Sequence, residues 1–275
     1  MSANPIYERL VHYRDLIREI TDFEPEIAIT LGSGLGNFAD NIEVVKTVNY
    51  SDLPGFPCST APGHVGQFIF GMLGGKKVAC MKGRLHYYEG YPMSDVVMPL
   101  RLLKMLGAKT AIITNAVGAI NKNYKVGSFM VSRDCISFFV PSPLIGQNID
   151  ELGPRFVDMS DLYTKELREK VKAIASREGI DVNEGVFVQL TGPQFETASE
   201  IVALRTLGAD CAGMSSGVEA IAGAHMGMKV CGISCITNMC TGVTDEKLSG
   251  EEVIEVANRV SRDFEKLIKL LVEEI

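Results

Sequence analysis

The chain has 275 residues, 46% hydrophobic and 22% charged, with a formal net charge of −7. Such values suit a folded protein and exclude extended disorder, and the acidic balance disfavours nucleic acid as a partner, since that role wants a basic face. No apolar run approaches the length of a membrane span, so no membrane partner is expected. The first residues carry no basic segment followed by an apolar core, and no signal peptide is expected. Cysteines at 58, 80, 135, 211, 231, 235 and 240 form no C-x-x-C pair and read as reduced packing residues of a cytoplasmic protein. With histidines only at 12, 64, 86 and 225, no metal centre is expected either.

In chain order, apolar residues at 6, 10, 13, 16, 17 and 20 predict a first helix. A β-like run over 27–31 then ends at Gly32-Ser33-Gly34-Leu35-Gly36. The spacing is G-x-G-x-G, not the dinucleotide fingerprint G-x-G-x-x-G. It suits equally a tight turn or an anion cradle built from backbone N–H groups and the Ser33 hydroxyl. A Pro- and Gly-rich loop over 51–66 holds His64 between Gly63 and Gly66, and strands are predicted at 67–73 and 77–81. If the next stretch stays extended, alternation puts Arg84, His86 and Tyr88 on one side. Arginine there offers a fork of donors matched to phosphate oxygens.

Ser94 predicts the cap of a helix reaching about residue 106, with Gly107 as its stop. A strand over 110–114 runs out into Asn115-Ala116-Val117-Gly118-Ala119, where a ligand could approach a backbone N–H. Another strand is expected at 129–136, followed by an irregular stretch over 141–160. A loop so long in a compact domain usually serves function or an interface. Helices at 161–178, 197–207 and 218–226 alternate with strands at 186–190 and 230–236. Thr197 and Glu200 form a capping box, and so do Ser249 and Glu252 at the start of a final helix. That helix keeps Val253, Val256, Val260, Phe264, Leu267 and Leu271 on one face. The alternation of strands and helices predicts an α/β architecture, and no composition break divides residues 1–275 into more than a single domain.

The densest chemistry lies between 191 and 238, where Phe195, Glu196, Met214, Ser215 and Asn238 fall at element ends. An aromatic, a carboxylate, a Met-Ser pair and an amide so placed could ring a small, flat polar ligand. Taken one at a time, each also fits a cap or a core position.

Taken with the rest of the chain, these residues resemble the purine nucleoside phosphorylases of the homotrimeric, low-molecular-mass class. The resemblance rests on Gly-Ser-Gly-Leu-Gly at 32–36, Gly-His-x-Gly at 63–66, Gly-Arg-x-His-x-Tyr-Glu-Gly at 83–90 and Asn-Ala-x-Gly at 115–118. It continues through Gly-Pro-x-Phe-Glu-Thr at 192–197, Gly-Met-Ser at 213–215 and Thr-Asn at 237–238. The resemblance implies a mixed central β-sheet with barrel character, flanked by helices, and a homotrimer. It implies that Ser33, His64, Arg84, His86, Ser215 and the N–H of Ala116 hold phosphate. Tyr88 and Met214 would bracket the ribose, and Phe195, Glu196 and Asn238 the purine, with Asn238, His86 and Glu196 as the catalytic groups. Phe156 resembles the aromatic that members lend to a neighbouring subunit's site. No cofactor is implied, because inorganic phosphate is the co-substrate.

Two positions depart from the family pattern. Gly250 stands where members commonly carry a histidine that reaches the sugar 5′-hydroxyl, and Val218 replaces the usual proline. The expected activity is phosphorolysis of inosine and guanosine. Methylthioadenosine phosphorolysis is the second reading, and an NAD- or nucleotide-binding protein built on the Gly-rich loop is a third.

Overall fold

The run Ile27–Thr30 forms β1, buried along its whole length, as a parallel strand covered on both faces should be. β1 is one strand of a computed structural model that describes residues 4–61, 63–245 and 248–275; Pro62, in the loop expected over 51–66, lies outside them. Its neighbours β4 (Lys76–Lys82) and β5 (Thr110–Ala119) both run parallel to it. Beyond β4 the sheet continues antiparallel through β3 (Gln67–Leu73) to β2 (Glu43–Asn49). On the other side β5 pairs with β8 (Cys211–Gly213), then follow β7 (Val182–Gln189), β6 (Phe129–Ile136) and β9 (Lys229–Met239). Because β9 also pairs with β5, these five strands close into a ring, and the other four form an open arm. The mixed sheet and its barrel character match the expected architecture.

Side-chain alternation divides the interior into two packed faces. Ile27, Ile29, Ile112, Cys231 and Ile233 point to a core that includes Phe38, Phe129, Phe264 and Leu267. Ala28, Ala111, Ile113 and Val230 point to a second core with Leu10, Phe68, Phe70 and Leu102. The first core is covered by α4 (Lys165–Glu178) and α8 (Ser261–Glu274). The second is covered by α1 (Pro5–Ile20), α3 (Met98–Met105) and α6 (Gly217–His225). Asn4 caps α1 by accepting from the N–H groups of Ile6 and Tyr7, with Pro5 at the first helical position.

Several boundaries differ from the sequence reading. The helix expected from Ser94 is two pieces, α2 (Met93–Val96) and α3, capped from Pro92 with Ser94 inside the first. Pro99 has no N–H to continue the hydrogen-bond ladder, and the chain breaks at Val97. The last helix likewise divides at Val260 into α7 (Gly250–Arg259) and α8. β5 and β9 outrun their apolar cores, so Asn115 to Ala119 and Asn238 lie within strands rather than after them. Neither β2 nor the three-residue β8 was expected. β2 is a solvent-facing edge with Val44 and Val45 exposed, and β8 is too short to carry a pattern.

Phe264 is 1% exposed and faces the rings of Phe38 and Phe129, each with its centroid at 6.1 Å. Phe264→Ala is expected to lower unfolding free energy by about 3–5 kcal/mol, the usual cost of an emptied aromatic site. Denaturant titration checks it; a loss below about 1 kcal/mol would mean that the site is not packed as described.

Candidate active site

β1 stops at Thr30, while β5 runs on to Ala119. The loop after β1 therefore fills the edge that β1 leaves. Gly32 donates its N–H to Thr114 Oγ1 at 3.2 Å, and that hydroxyl donates to the Thr30 carbonyl at 2.8 Å. A Cβ on Gly32 would lie 2.5 Å from Asn115 Cα, so the approach of loop and strand requires glycine. Ser33 is thereby set beside the second half of β5, lining a cavity of about 680 Å³.

His64 stands behind Ser33, with Nε2 3.1 Å from Ser33 Oγ and Nδ1 accepting the Arg84 N–H at 3.0 Å. Burial, with His86 and Arg84 nearby, depresses its pKa to about 3, so the ring is neutral at neutral pH. The Arg84 guanidinium is itself 3% exposed. Its Nη1 donates to Ser215 Oγ at 3.0 Å, and Nε lies 3.2 Å from Glu219 Oε2. Neither Nε, despite its charge contact with Glu219, nor Nη2 has a hydrogen-bond partner among the described residues.

The stretch from Arg84 to Tyr88 does not stay extended. Tyr87–Glu89 is a 3-10 turn that closes on Gly90 at φ 88°, with His86 at its N-cap. Glu89 drives the turn by accepting from the His86 N–H at 2.7 Å and facing His86 Nδ1 at 3.2 Å. It also accepts from the Thr60 N–H and hydroxyl, tying in the loop before His64. These hydrogen bonds outweigh burial and hold its carboxyl down at about 2. The turn stacks the His86 and Tyr88 rings at 4.7 Å, and both still line the cavity with Arg84.

The opposite wall comes from β8, β9 and the loop after β7. Gly192, at φ 64°, lies where a Cβ would meet Met214 Sδ at 2.4 Å and Tyr88 Cδ1 at 3.2 Å. Met214 and Tyr88 therefore both pack against that loop at Gly192. Asn238 is placed by a bulge: Val117 pairs with Ile236, but Gly118 pairs with Asn238, leaving Thr237 as the extra residue. Asn238 Oδ1 accepts from the Thr237 hydroxyl at 3.0 Å, and Nδ2 donates to the Met239 carbonyl at 3.1 Å. Glu196 lines the same end, its carboxyl raised above the usual range chiefly by burial, with Glu200 adding like charge.

Of the residues singled out in the sequence, Ser33, Arg84, His86, Tyr88, Ala116, Phe195, Glu196, Met214, Ser215 and Asn238 line one cavity. His64 backs it, and Gly250 lines it with Ser249, Glu251, Val253 and Ile254. Phe156 does not reach it: this side chain is 90% exposed, in the irregular stretch before α4. Glu89, present only as a letter of the motif at 83–90, and Glu219 were given no role in the sequence reading. Glu219 had a signal in Ser216-x-x-Glu219, a capping box in which Ser216 N–H donates to Glu219 Oε2 at 3.1 Å. Among the described residues no group of three His, Cys, Asp or Glu side chains is arranged to hold a metal ion.

A fold of this kind, with an anion-type pocket at one end of the cavity and a carboxylate and amide at the other, has known counterparts. A family model described as the phosphorylase superfamily matches residues 26–273. The chain is 45% identical to purine nucleoside phosphorylase 1 of Geobacillus stearothermophilus, over 94% of each protein. It is 40% identical to the purine nucleoside phosphorylase of Bos taurus, over 93% of this chain and 91% of that one. The crystal structure of the Schistosoma mansoni purine nucleoside phosphorylase in complex with inosine superimposes with a TM-score of 0.92 at 33% identity, covering 98% and 96% of the two chains. The chain therefore belongs to the phosphorylase superfamily, among the purine nucleoside phosphorylases.

The depressed Glu89 carboxyl has a consequence for folding. Its folded value lies below the usual 4.5, so its contribution to stability is full above 4.5 and is lost as pH falls through about 2. Glu89→Gln removes that contribution. Denaturant titrations in this acid window should show wild type losing stability more steeply than the variant, and parallel curves would sink the assignment.

Proposed function

We propose that the protein catalyses phosphorolysis of inosine, guanosine and their 2′-deoxy forms, giving the free purine and ribose or deoxyribose 1-phosphate. The observation that carries this reading is the single cavity that sets Ser33, Arg84 and Ser215 at one end and Glu196 and Asn238 at the other. Ser33, Arg84, His86, Ser215 and the Ala116 N–H hold inorganic phosphate, with His64 supporting Ser33 from behind. One phosphate oxygen attacks C1′ of the sugar as the C1′–N9 bond breaks, and the bonding pair passes to the purine. The sugar carries cationic character between them, next to the phosphate's own negative charge.

Asn238 donates its amide N–H to N7 or O6 as negative charge gathers on the leaving base. Glu196, ionised, accepts from N1–H of a 6-oxopurine and from the 2-amino group of guanine. Adenine has no N1 proton, and leaving the carboxylate unpaired costs about 1–3 kcal/mol. Tyr88 and Met214 flank the ribose, and Phe195 packs on the purine. No cofactor takes part, and the protein works in the cytoplasm, a reading supported by seven unpaired cysteines.

The active form is a homotrimer in which Phe156 completes a neighbour's site. Its 90% exposure, with Ile145 at 74% in the same irregular stretch, supports an interface there. Methylthioadenosine phosphorolysis is the second reading, favoured by Gly250. Nothing lies within 4 Å of where its Cβ would stand, which leaves room at that wall of the cavity.

Inosine and methylthioadenosine assayed side by side test these readings. Hypoxanthine should be released from inosine only when phosphate is present, and faster than adenine from methylthioadenosine. Asn238→Asp should reduce activity on inosine by roughly a hundredfold, as loss of one transition-state donor does, and shift the ratio toward adenosine. Comparable wild-type kcat/KM for inosine and adenosine would defeat the base assignment. Phe156→Ala should raise KM for nucleoside by about two- to tenfold, the value of one aromatic contact, with less effect on phosphate. A fully active monomer in light scattering would rule out the shared site.

A further inference from the structure

Glu219 occupies the third position of α6, where its carboxylate completes the capping box with Ser216. Capping alone does not require a charge, because glutamine serves that position as well as glutamate. Here a charge is also costly: Glu219 is 4% exposed, and burying a carboxylate is unfavourable unless it is paired. Its partner is Arg84. Glu219 Oε2 receives the Ser216 N–H at 3.1 Å and faces Arg84 Nε at 3.2 Å, while Arg84 Nη1 reaches Ser215 Oγ at 3.0 Å. One carboxylate oxygen thus joins the arginine to the turn that carries Ser215. That turn holds Ser216 at φ 80°, the one positive-φ residue other than glycine among the described residues.

Among the described residues, Arg84 is also the one lysine or arginine that lines the cavity. Its charge is offset by Glu219 behind it, and His64 beside it is neutral. We propose that Glu219 is a positioning residue for the phosphorolysis proposed above, fixing the Arg84 fork and cancelling its charge so that bound phosphate is held mainly by neutral donors. Negative charge moves from phosphate toward the purine as the glycosidic bond breaks. A full, unbalanced cation at the phosphate would therefore stabilise the ground state more than the transition state. The carboxylate removes that bias and leaves the phosphate's charge available to the cationic sugar.

Two variants separate charge from geometry. Glu219→Gln keeps an oxygen that can accept from Ser216 and stand beside Arg84 Nε, and removes the charge. Steady-state kinetics should show KM for phosphate falling by about three- to thirtyfold, the effect of one extra charge at short range in a partly buried site. kcat should fall by about threefold or more, with kcat/KM for phosphate retained. Glu219→Ala loses the acceptor as well, and KM for phosphate should rise. Circular dichroism establishes that each variant is folded, and if the alanine variant is not, the glutamine variant decides alone. A helix cap without electrostatic effect would shift the melting temperature and leave both kinetic constants unchanged, which overturns the proposal. A rise in KM for phosphate with Glu219→Gln also overturns it, since Glu219 would then only prop the arginine. Wild type in the same assay guards the underlying reading: absence of phosphate-dependent base release there refutes the activity itself, whereas normal wild-type kinetics with an unaltered Glu219→Gln refute only the role of the charge.

Discussion

The cavity exists because two paired strands end at different places. β1 and β5 are in register from Ile27 opposite Thr110 to Thr30 opposite Ile113, and then β1 turns away while β5 continues for six more residues. Along that continuation β5 keeps β9 on one edge through Ala119, and meets β8 only at Gly118 and Ala119. The gap is taken by the Gly32-Ser33 loop, pinned through Thr114. Everything described at the cavity depends on that unequal ending. A longer β1 would close the space with backbone, and a shorter β5 would remove the strand whose bulged partner carries Asn238.

Electrostatically the two ends of the cavity are built in different ways. At the Arg84 end two of the three basic side chains have a carboxylate at their backs, Glu219 for Arg84 and Glu89 for His86, and His64 has none among the described residues. The Glu89 carboxyl, rich in hydrogen bonds, is held ionised far into acid. At the other end Glu196 has few donors of its own, and burial makes ionisation harder. Such a carboxylate gains most from a ligand that brings an N–H to it.

Much of this was legible in the sequence, for identifiable reasons. Ser33, Arg84, Glu196 and Asn238 stand in short motifs whose glycines and strand ends advertise themselves locally, so the residues could be named before their neighbours were known. The helix α1 announced itself through its apolar period and α5 (Ala198–Thr206) through its capping box. What could not be read was set by partners distant in the chain. Glu219 has meaning only once α6 lies against Arg84. The turn at Tyr87–Glu89 contradicts the alternation that seemed to order Arg84, His86 and Tyr88, because Glu89 rewards a bend that brings Thr60 and His86 together. β2 depends on β3 to exist at all, and the breaks at Val97 and Val260 interrupt apolar stripes that are continuous on paper.

The bonds around His64 fix a direction as well as a position. Nδ1 accepts from a backbone N–H, so the neutral ring must carry its proton on Nε2 and donate it to Ser33 Oγ. With a lone pair of that oxygen already engaged, the serine's own hydrogen is free to be donated to a guest in the cavity that Ser33 lines. The peptide N–H of Arg84 thereby acts, through an imidazole, as the origin of a one-way string of donors that ends at the pocket surface. A serine held in this way has one lone pair taken and its hydrogen still to give, so the backbone biases this corner of the pocket toward acceptor-rich guests.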